Sequence, residues 1–196
     1  MSLFESIIYQ FNSHLDSTSS NIESLIPPIA EAINLFTEVI LADKKILCCT
    51  SANDLQAGSQ FCHYLMNGHE LPRPSLPALF LGAHPSTLLA AIDNDNELYA
   101  KQIEALGNKN DTLLLIGEGG QQSCLINAIS AAREKEMNIV AILSHSQTEL
   151  ISKISHNDVL ISIPTEAFHQ TILLHYLISV IISSQIEQQL FGSIIS

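Results

Sequence analysis

The chain has 196 residues, 46% hydrophobic and only 14% charged, with 8 Lys and Arg against 20 Asp and Glu for a net charge of -12. The length suits one domain with a real core, and the charged fraction, well below the roughly 25% of an average soluble protein, points to much buried apolar surface, subunit interfaces included. Nucleic acids and anionic membranes both need basic patches, and a chain whose one adjacent basic pair is Lys44-Lys45 excludes direct contact with either.

The opening stretch "MSLFESIIYQFNSH" carries Glu5 and no Lys or Arg, unlike a signal peptide. Leu3, Phe4, Ile7, Ile8, Phe11 and Leu15 have helical spacing. "STSSN" at 17–21 reads as a break. A second helix then opens on two prolines and repeats Ile29, Ala32, Ile33, Phe36, Val39 and Ile40. Two helices are therefore expected within about 1–43.

Five short apolar runs follow: Ile46–Cys49, Ala78–Leu81, Thr112–Ile116, Ile139–Leu143 and Val159–Ile163. Such runs are expected of parallel strands covered on both faces. Helical patterns separate them at about 54–67, 86–105 with a break near Asp93, 121–136 and 147–154; Pro164-Thr165 then opens a long helix to about Phe191. Alternating β and α elements predict an α/β, three-layer doubly wound sandwich with a five-stranded parallel sheet. We read residues 1–196 as a single domain, with an α/β core over about 45–163 and the C-terminal helix over about 165–191. The greasy run "TILLHYLISVII" is interrupted by His175 and Ser179 and falls short of the ~20 residues of a membrane span. A soluble cytoplasmic protein is expected.

Cys48, Cys49, Cys62 and Cys124 show no zinc-like spacing and read as buried reduced thiols. No metal and no cofactor is expected. Ligands of such sheets bind outside the carboxyl ends of the strands, where the loops read "TSAND", "GAHPST" and "GEGGQQS". The last loop fits neither the Walker pattern, which needs Gly-Lys-Ser/Thr, nor GxGxxG.

The phrases "KILCC", "RPSLPAL" at 73–79, "ELYAKQIEALGNKNDTLLLI" at 97–116, "AISAAREKEMNIVAI" at 128–142 and the terminal Leu190-Phe191 resemble the sugar isomerase (SIS) domain family. Within it they are similar to phosphoheptose isomerases and to the DiaA branch, which associates with the replication initiator DnaA. Placed without gaps, the glycine-rich phosphate loop of catalytic relatives falls on Thr50, Ser51, Ala52, Asn53 and Asp54, with all three glycines gone and Asp54 in place of a phosphate-binding serine. Their Ser/Thr-rich loop falls on Gly117, Glu118, Gly119, Gly120, Gln121 and Gln122, with Ser123 one position late. The resemblance puts the family's catalytic glutamate on Tyr64, its catalytic histidine on Val180 and a glutamine on Ile172. His175 matches a family histidine and is either a core or interface residue or part of a pocket.

Aldose–ketose isomerisation needs a positioned acid/base pair, which Tyr64 and Val180 do not supply. The resemblance therefore implies a non-catalytic DiaA-type scaffold that binds a DnaA-type initiator and promotes its assembly at the origin. The alternative is a phosphoheptose (sugar-phosphate) isomerase, or a sugar-phosphate binding protein, with a degenerate or rearranged site. A homo-oligomer is expected, and the resemblance implies a tetramer. Leu190 and Phe191 end a helix after a polar run and read as a partner-binding patch or as a local anchor. Asp54 and Glu118 are expected to bring two carboxylates into one pocket, where like charges repel.

Overall fold

The computed structural model describes residues 1–68, 72–83, 96–119, 122–164 and 167–192. Five parallel strands form one sheet: β1 (Ile46–Thr50), β2 (Ala78–Phe80), β3 (Thr112–Gly117), β4 (Asn138–Ser144) and β5 (Val159–Ile163). Their spatial order is β2-β1-β3-β4-β5, and the register pairs Ile46 with Ala78 on one side of β1 and with Thr112 on the other. Every residue of β1 and β3 is buried, as the continuous apolar runs predict. The helices are α1 (Leu3–Leu41), α2 (Leu55–Asn67), α3 (Ala100–Leu106), α4 (Gln122–Glu134), α5 (Thr148–Ile151) and α6 (Phe168–Phe191).

Strand alternation splits the core in two. Ile46, Cys48, Leu114, Ile116, Val140 and Ile161 point to the face covered by α1, α2 and α6. Leu47, Cys49, Leu113, Leu115 and Ile139 point to the face covered by α3 and α4. All four cysteines are free and buried. Burial pushes the thiols of Cys48 and Cys49 up, with Cys62 adding to the first and Cys124 to the second, so they are inert packing groups. At the amino ends of the strands, the Asp111 carboxylate accepts from the Lys45 and Asn108 amides at 3.1 and 2.8 Å and pairs with the Lys45 ammonium. The chain winds outward in both directions from the β1–β3 pair. This is the switch point at which α/β sheets open a crevice beyond their carboxyl ends.

The N-terminal region corrects the expectation of two helices. α1 runs unbroken for 39 residues through both the "STSSN" segment and Pro27-Pro28. The polar side chains fold back on the preceding turn instead of ending the helix: Thr18 Oγ1 donates to the His14 carbonyl, Asn21 Nδ2 to that of Ser17 and Ser24 Oγ to that of Asn21. This is the local back-bonding open to these residues within a helix. Ser2 and Glu5 form a capping box at its start. Only the second half of α1 buries a face in this chain, through Leu25, Ala32, Ile33, Phe36 and Val39; Leu3, Phe4, Phe11 and Leu15 are exposed. By length and composition α1 is the one helix among the described residues that could cross a membrane, and 33% of its most apolar window is buried. Of the helix expected over 86–105, residues up to 95 lie outside the described residues, 96–99 form turns and the helix itself runs over Ala100–Leu106; Thr165 also lies outside them.

Arg73 joins α2 to the end of α6. Its guanidinium donates to the carbonyls of Tyr64 and Leu65 at 2.6 and 2.9 Å, satisfying the carboxyl end of α2, and to Glu187 Oε2 at 2.5 Å. Both side chains of the ion pair are almost fully buried. Removing one partner of such a pair strands the other charge. Arg73→Ala is expected to lower unfolding free energy by about 3–5 kcal/mol in urea titration. Arg73→Lys should rescue only part of this, since an ammonium cannot fork to both carbonyls and a carboxylate at once.

Candidate functional site

The site is built at the carboxyl ends of β1 and β3. α2 lies close over β1 because position 58 is glycine. A Cβ there would stand 2.5 Å from Thr50 Cγ2 and 3.0 Å from Cys48 Sγ. The amino end of α2 is thereby held above the end of β1. The ladder continues one step beyond the strand, with the Ser51 amide donating to the Ile116 carbonyl at 2.9 Å. The loop after β3 turns at Gly119, whose φ of +65° is the left-handed conformation that favours glycine. Asn53 Nδ2 ties the two loops together by donating to the Glu118 carbonyl at 3.0 Å.

At the centre lies Asp54, almost fully buried. Its Oδ2 accepts from the Glu118 amide and from Ser51 Oγ, both at 2.7 Å. Its Oδ1 lies 2.8 Å from Nδ1 of His175, also fully buried, on α6. Since both carboxylate oxygens accept, Nδ1 carries the imidazole proton. The other ring nitrogen, Nε2, is buried without a partner among the described residues, as is Oε2 of Glu118. Beside Asp54 opens a cavity of about 260 Å³ lined by Asn53, Asp54, Gln56, Ala57, Ile172, Leu173 and Tyr176.

The sequence-predicted residues divide accordingly. Thr50, Ser51, Asn53, Asp54, Gly117, Glu118 and Gly119 come together with His175. Gly120 and Gln121 lie outside the described residues. Gln122 turns away to donate to Gln147 Oε1 at 2.7 Å, and Ser123 is exposed on α4. Two carboxylates facing one pocket is not what forms. Asp54 lines the cavity and Glu118 does not; the backbone of Glu118 instead serves Asp54 as a donor. Ile172 does line the cavity. Tyr64 is half-buried near the far end of α2, ten positions from Asp54 or about 15 Å along a helix. Val180 lies one and a half turns beyond His175. Within one chain Tyr64 is thus well away from Asp54, and Val180 sits about 7.5 Å along the helix from His175 on another side of it. Among the described residues no group of three His, Cys, Asp or Glu side chains has metal-ligand geometry.

Leu190 packs, partly buried, on the core. Phe191 is 40% exposed, with the Arg73 guanidinium 5.6 Å from its ring centroid. Sequence reasoning passed over Tyr99. Its hydroxyl donates to the Thr50 carbonyl at 2.8 Å and closes the end of β1 from the opposite face. Burial, with Cys49 nearby, pushes that phenol up. The only signal for it was an aromatic residue just ahead of an apolar helical pattern.

The SIS domain family matches residues 10–144 of this chain. A phosphoheptose isomerase of Chromohalobacter salexigens is 34% identical over 190 residues, covering 95% of this chain and 96% of the relative. One of Coxiella burnetii is 33% identical over 196 residues, covering 98% of each. The structure of a phosphoheptose isomerase from Francisella tularensis superposes with a TM-score of 0.89 at 26% identity, over 96% of this chain and all of that one. These full-length relatives overturn the expectation of a non-catalytic initiator-binding scaffold in favour of the isomerase-type alternative. The physical reason is where the suggestive phrases lie. "KILCC" is the buried strand β1, and "RPSLPAL" supplies the Arg73 lock and the start of β2. Both build the sheet that the isomerases share, so neither specifies a partner.

The Asp54–His175 pair sets an expectation for stability. Deleting the imidazole takes one of three donors from a buried carboxylate and leaves a cavity in the core, at a cost of about 3–5 kcal/mol together. His175→Ala should therefore melt about 6–20 °C below the parent, whereas the double change Asp54→Asn with His175→Gln should recover most of the loss in the same calorimetric scan.

Proposed function

Since the chain belongs to the SIS-domain family, we propose that it is a sugar-phosphate isomerase of the phosphoheptose type with a rearranged site. The observation that carries this reading is the match to named phosphoheptose isomerases over nearly the whole of both chains. The substrate would lie in the crevice beyond β1 and β3, in and beside the cavity next to Asp54. Isomerisation moves a proton between neighbouring carbons, so a group must take it from one and return it to the other. Tyr64 and Val180 do not fill that role. The groups this chain offers in the crevice are His175, whose Nδ1 is held by Asp54, and Glu118; Nε2 of the one and Oε2 of the other have no partner among the described residues, and neither side chain lines the cavity itself. A carboxylate that fixes one imidazole nitrogen fixes the tautomer and orientation of the other, which is how a base is positioned.

Sedoheptulose 7-phosphate incubated with the purified protein at neutral pH is expected to equilibrate with its aldose isomer, and His175→Gln, if folded, to lose this by roughly a hundredfold or more, the usual scale of a lost general base. Absence of turnover by the parent chain would overturn the enzymatic reading. Tyr64 and Val180 favour a second one, a sugar-phosphate binder without turnover. Calorimetric binding of the same sugar with no interconversion selects it.

The reading includes self-association. The exposed apolar residues Leu3, Phe4, Phe11 and Leu15 on α1 and Leu173 and Leu177 on α6 are surface that a second copy of the chain would bury. A homo-oligomer, with a tetramer as the expected form, would cover it. Light scattering after size exclusion at micromolar concentration should give about four times the 21.4 kDa chain mass; a stable monomer refutes it.

A further inference from the structure

We propose that Asp54 is a resident anion: its carboxylate occupies an anion seat that a ligand's phosphate would otherwise fill, and it competes with that ligand from within the chain. The donors of the seat come from three separate elements. Ser51 Oγ belongs to the β1–α2 loop, the Glu118 amide to the turn after β3, and His175 Nδ1 to α6. A backbone N–H, a hydroxyl and an imidazole converging from three elements at the carboxyl end of a parallel sheet make a cradle for an oxyanion. The occupant comes from the chain itself.

Asp54 also stands at the N-cap position of the 13-residue α2, yet its side chain makes no capping hydrogen bond to that helix. An aspartate at this position ordinarily accepts from the first-turn amides. Here it turns away from them and into the seat. Two further facts point to a ligand. Nε2 of His175, in the same cluster, is buried without a partner among the described residues. Asp54 itself lines the 260 Å³ cavity, so a molecule entering there meets the carboxylate that holds the seat. The residue thus sets anion specificity: a ligand whose binding-competent state is rarely populated binds more weakly by that fraction.

The inference rests on the loops being a sugar-phosphate site, and its test keeps the two apart. Inorganic phosphate and sedoheptulose 7-phosphate are titrated calorimetrically into the parent, Asp54→Ser and Asp54→Asn, with thermal melts as the check on folding. Emptying the seat to one-tenth occupancy or less by a competitor corresponds to about a tenfold loss of affinity. Asp54→Ser is therefore expected to bind inorganic phosphate at least about tenfold more tightly than the parent, and Asp54→Asn, which keeps the shape without the charge, to gain less. Binding is the readout, since freeing His175 from its partner should slow turnover even as affinity rises. Equal or weaker phosphate binding in the folded variants overturns the resident anion, whether or not the parent turns over the sugar. Failure of both variants to fold overturns it too, because Asp54 would then be a structural keystone. A gain for phosphate in Asp54→Ser, with no protein form preferring the sugar phosphate over phosphate, keeps the resident anion and sinks the sugar-phosphate function.

Discussion

A buried carboxylate must be met by donors or it will not stay buried, and the end of this sheet is organised around that requirement at Asp54. Three elements far apart in sequence each send it one donor: the loop after β1, the loop after β3 and the middle of α6. The contact is both a consequence of the fold and a reason for its exact register. Moving β1 against β3 by one residue would carry Ser51 away from the Ile116 carbonyl and Glu118 away from the carboxylate. Rotating α6 by one residue, about 100°, would take His175 off its partner. The polar cluster thereby adds a directional contact among two strands and a helix that the β1–β3 ladder, apolar packing and the Arg73–Glu187 pair already hold together.

The same cluster explains how a glycine-free loop can stand where a phosphate loop stands in relatives. Glycines are needed where backbone must approach an external ligand or adopt positive φ. Here the anion arrives on a side chain already covalently in place, so Ser51, Ala52 and Asn53 need no such freedom. The turn after β3 still needs it, and Gly119 keeps it. The other glycine that matters, Gly58, concerns packing alone, because it brings α2 down onto Thr50 and Cys48.

Much of the architecture was legible in the sequence, for a physical reason. Strands buried on both faces must be nearly continuously apolar, so the runs at 46–49, 112–116 and 139–143 read as strands, while 159–163, an edge strand, alternates between buried and half-buried positions. What misled was local polarity. Serines, a threonine and an asparagine at 17–21 read as a break, but their side chains could bond the preceding turn, and the helix went through. At the site, residue type showed that Asp54 and Glu118 had replaced hydroxyl donors, yet it pictured two carboxylates in conflict. Only the fold shows that the main chain of Glu118, rather than its side chain, meets Asp54. The Asp54–His175 contact spans 121 positions, beyond the reach of any local pattern. Tyr99 was invisible for the same reason, since its one specific act is a hydrogen bond to a carbonyl 49 residues away.

Likeness in the sheet and divergence at the site are two different kinds of information. The likeness to phosphoheptose isomerases extends over nearly the whole chain and its fold, and burial constrains choice most in β1, β3 and the Arg73 lock. Buried residues of that kind fix the fold and with it the ligand crevice, which follows from the strand order. They do not report which group moves a proton. That question falls to the few polar atoms that the fold buries without a partner, and among the described residues of this crevice they are Oγ1 of Thr50, Oε2 of Glu118 and Nε2 of His175. An unpartnered buried polar atom is costly, and a fold keeps one where something outside the chain completes it. The site is therefore better read from what the fold leaves unsatisfied than from the positions where its relatives keep their acid and base.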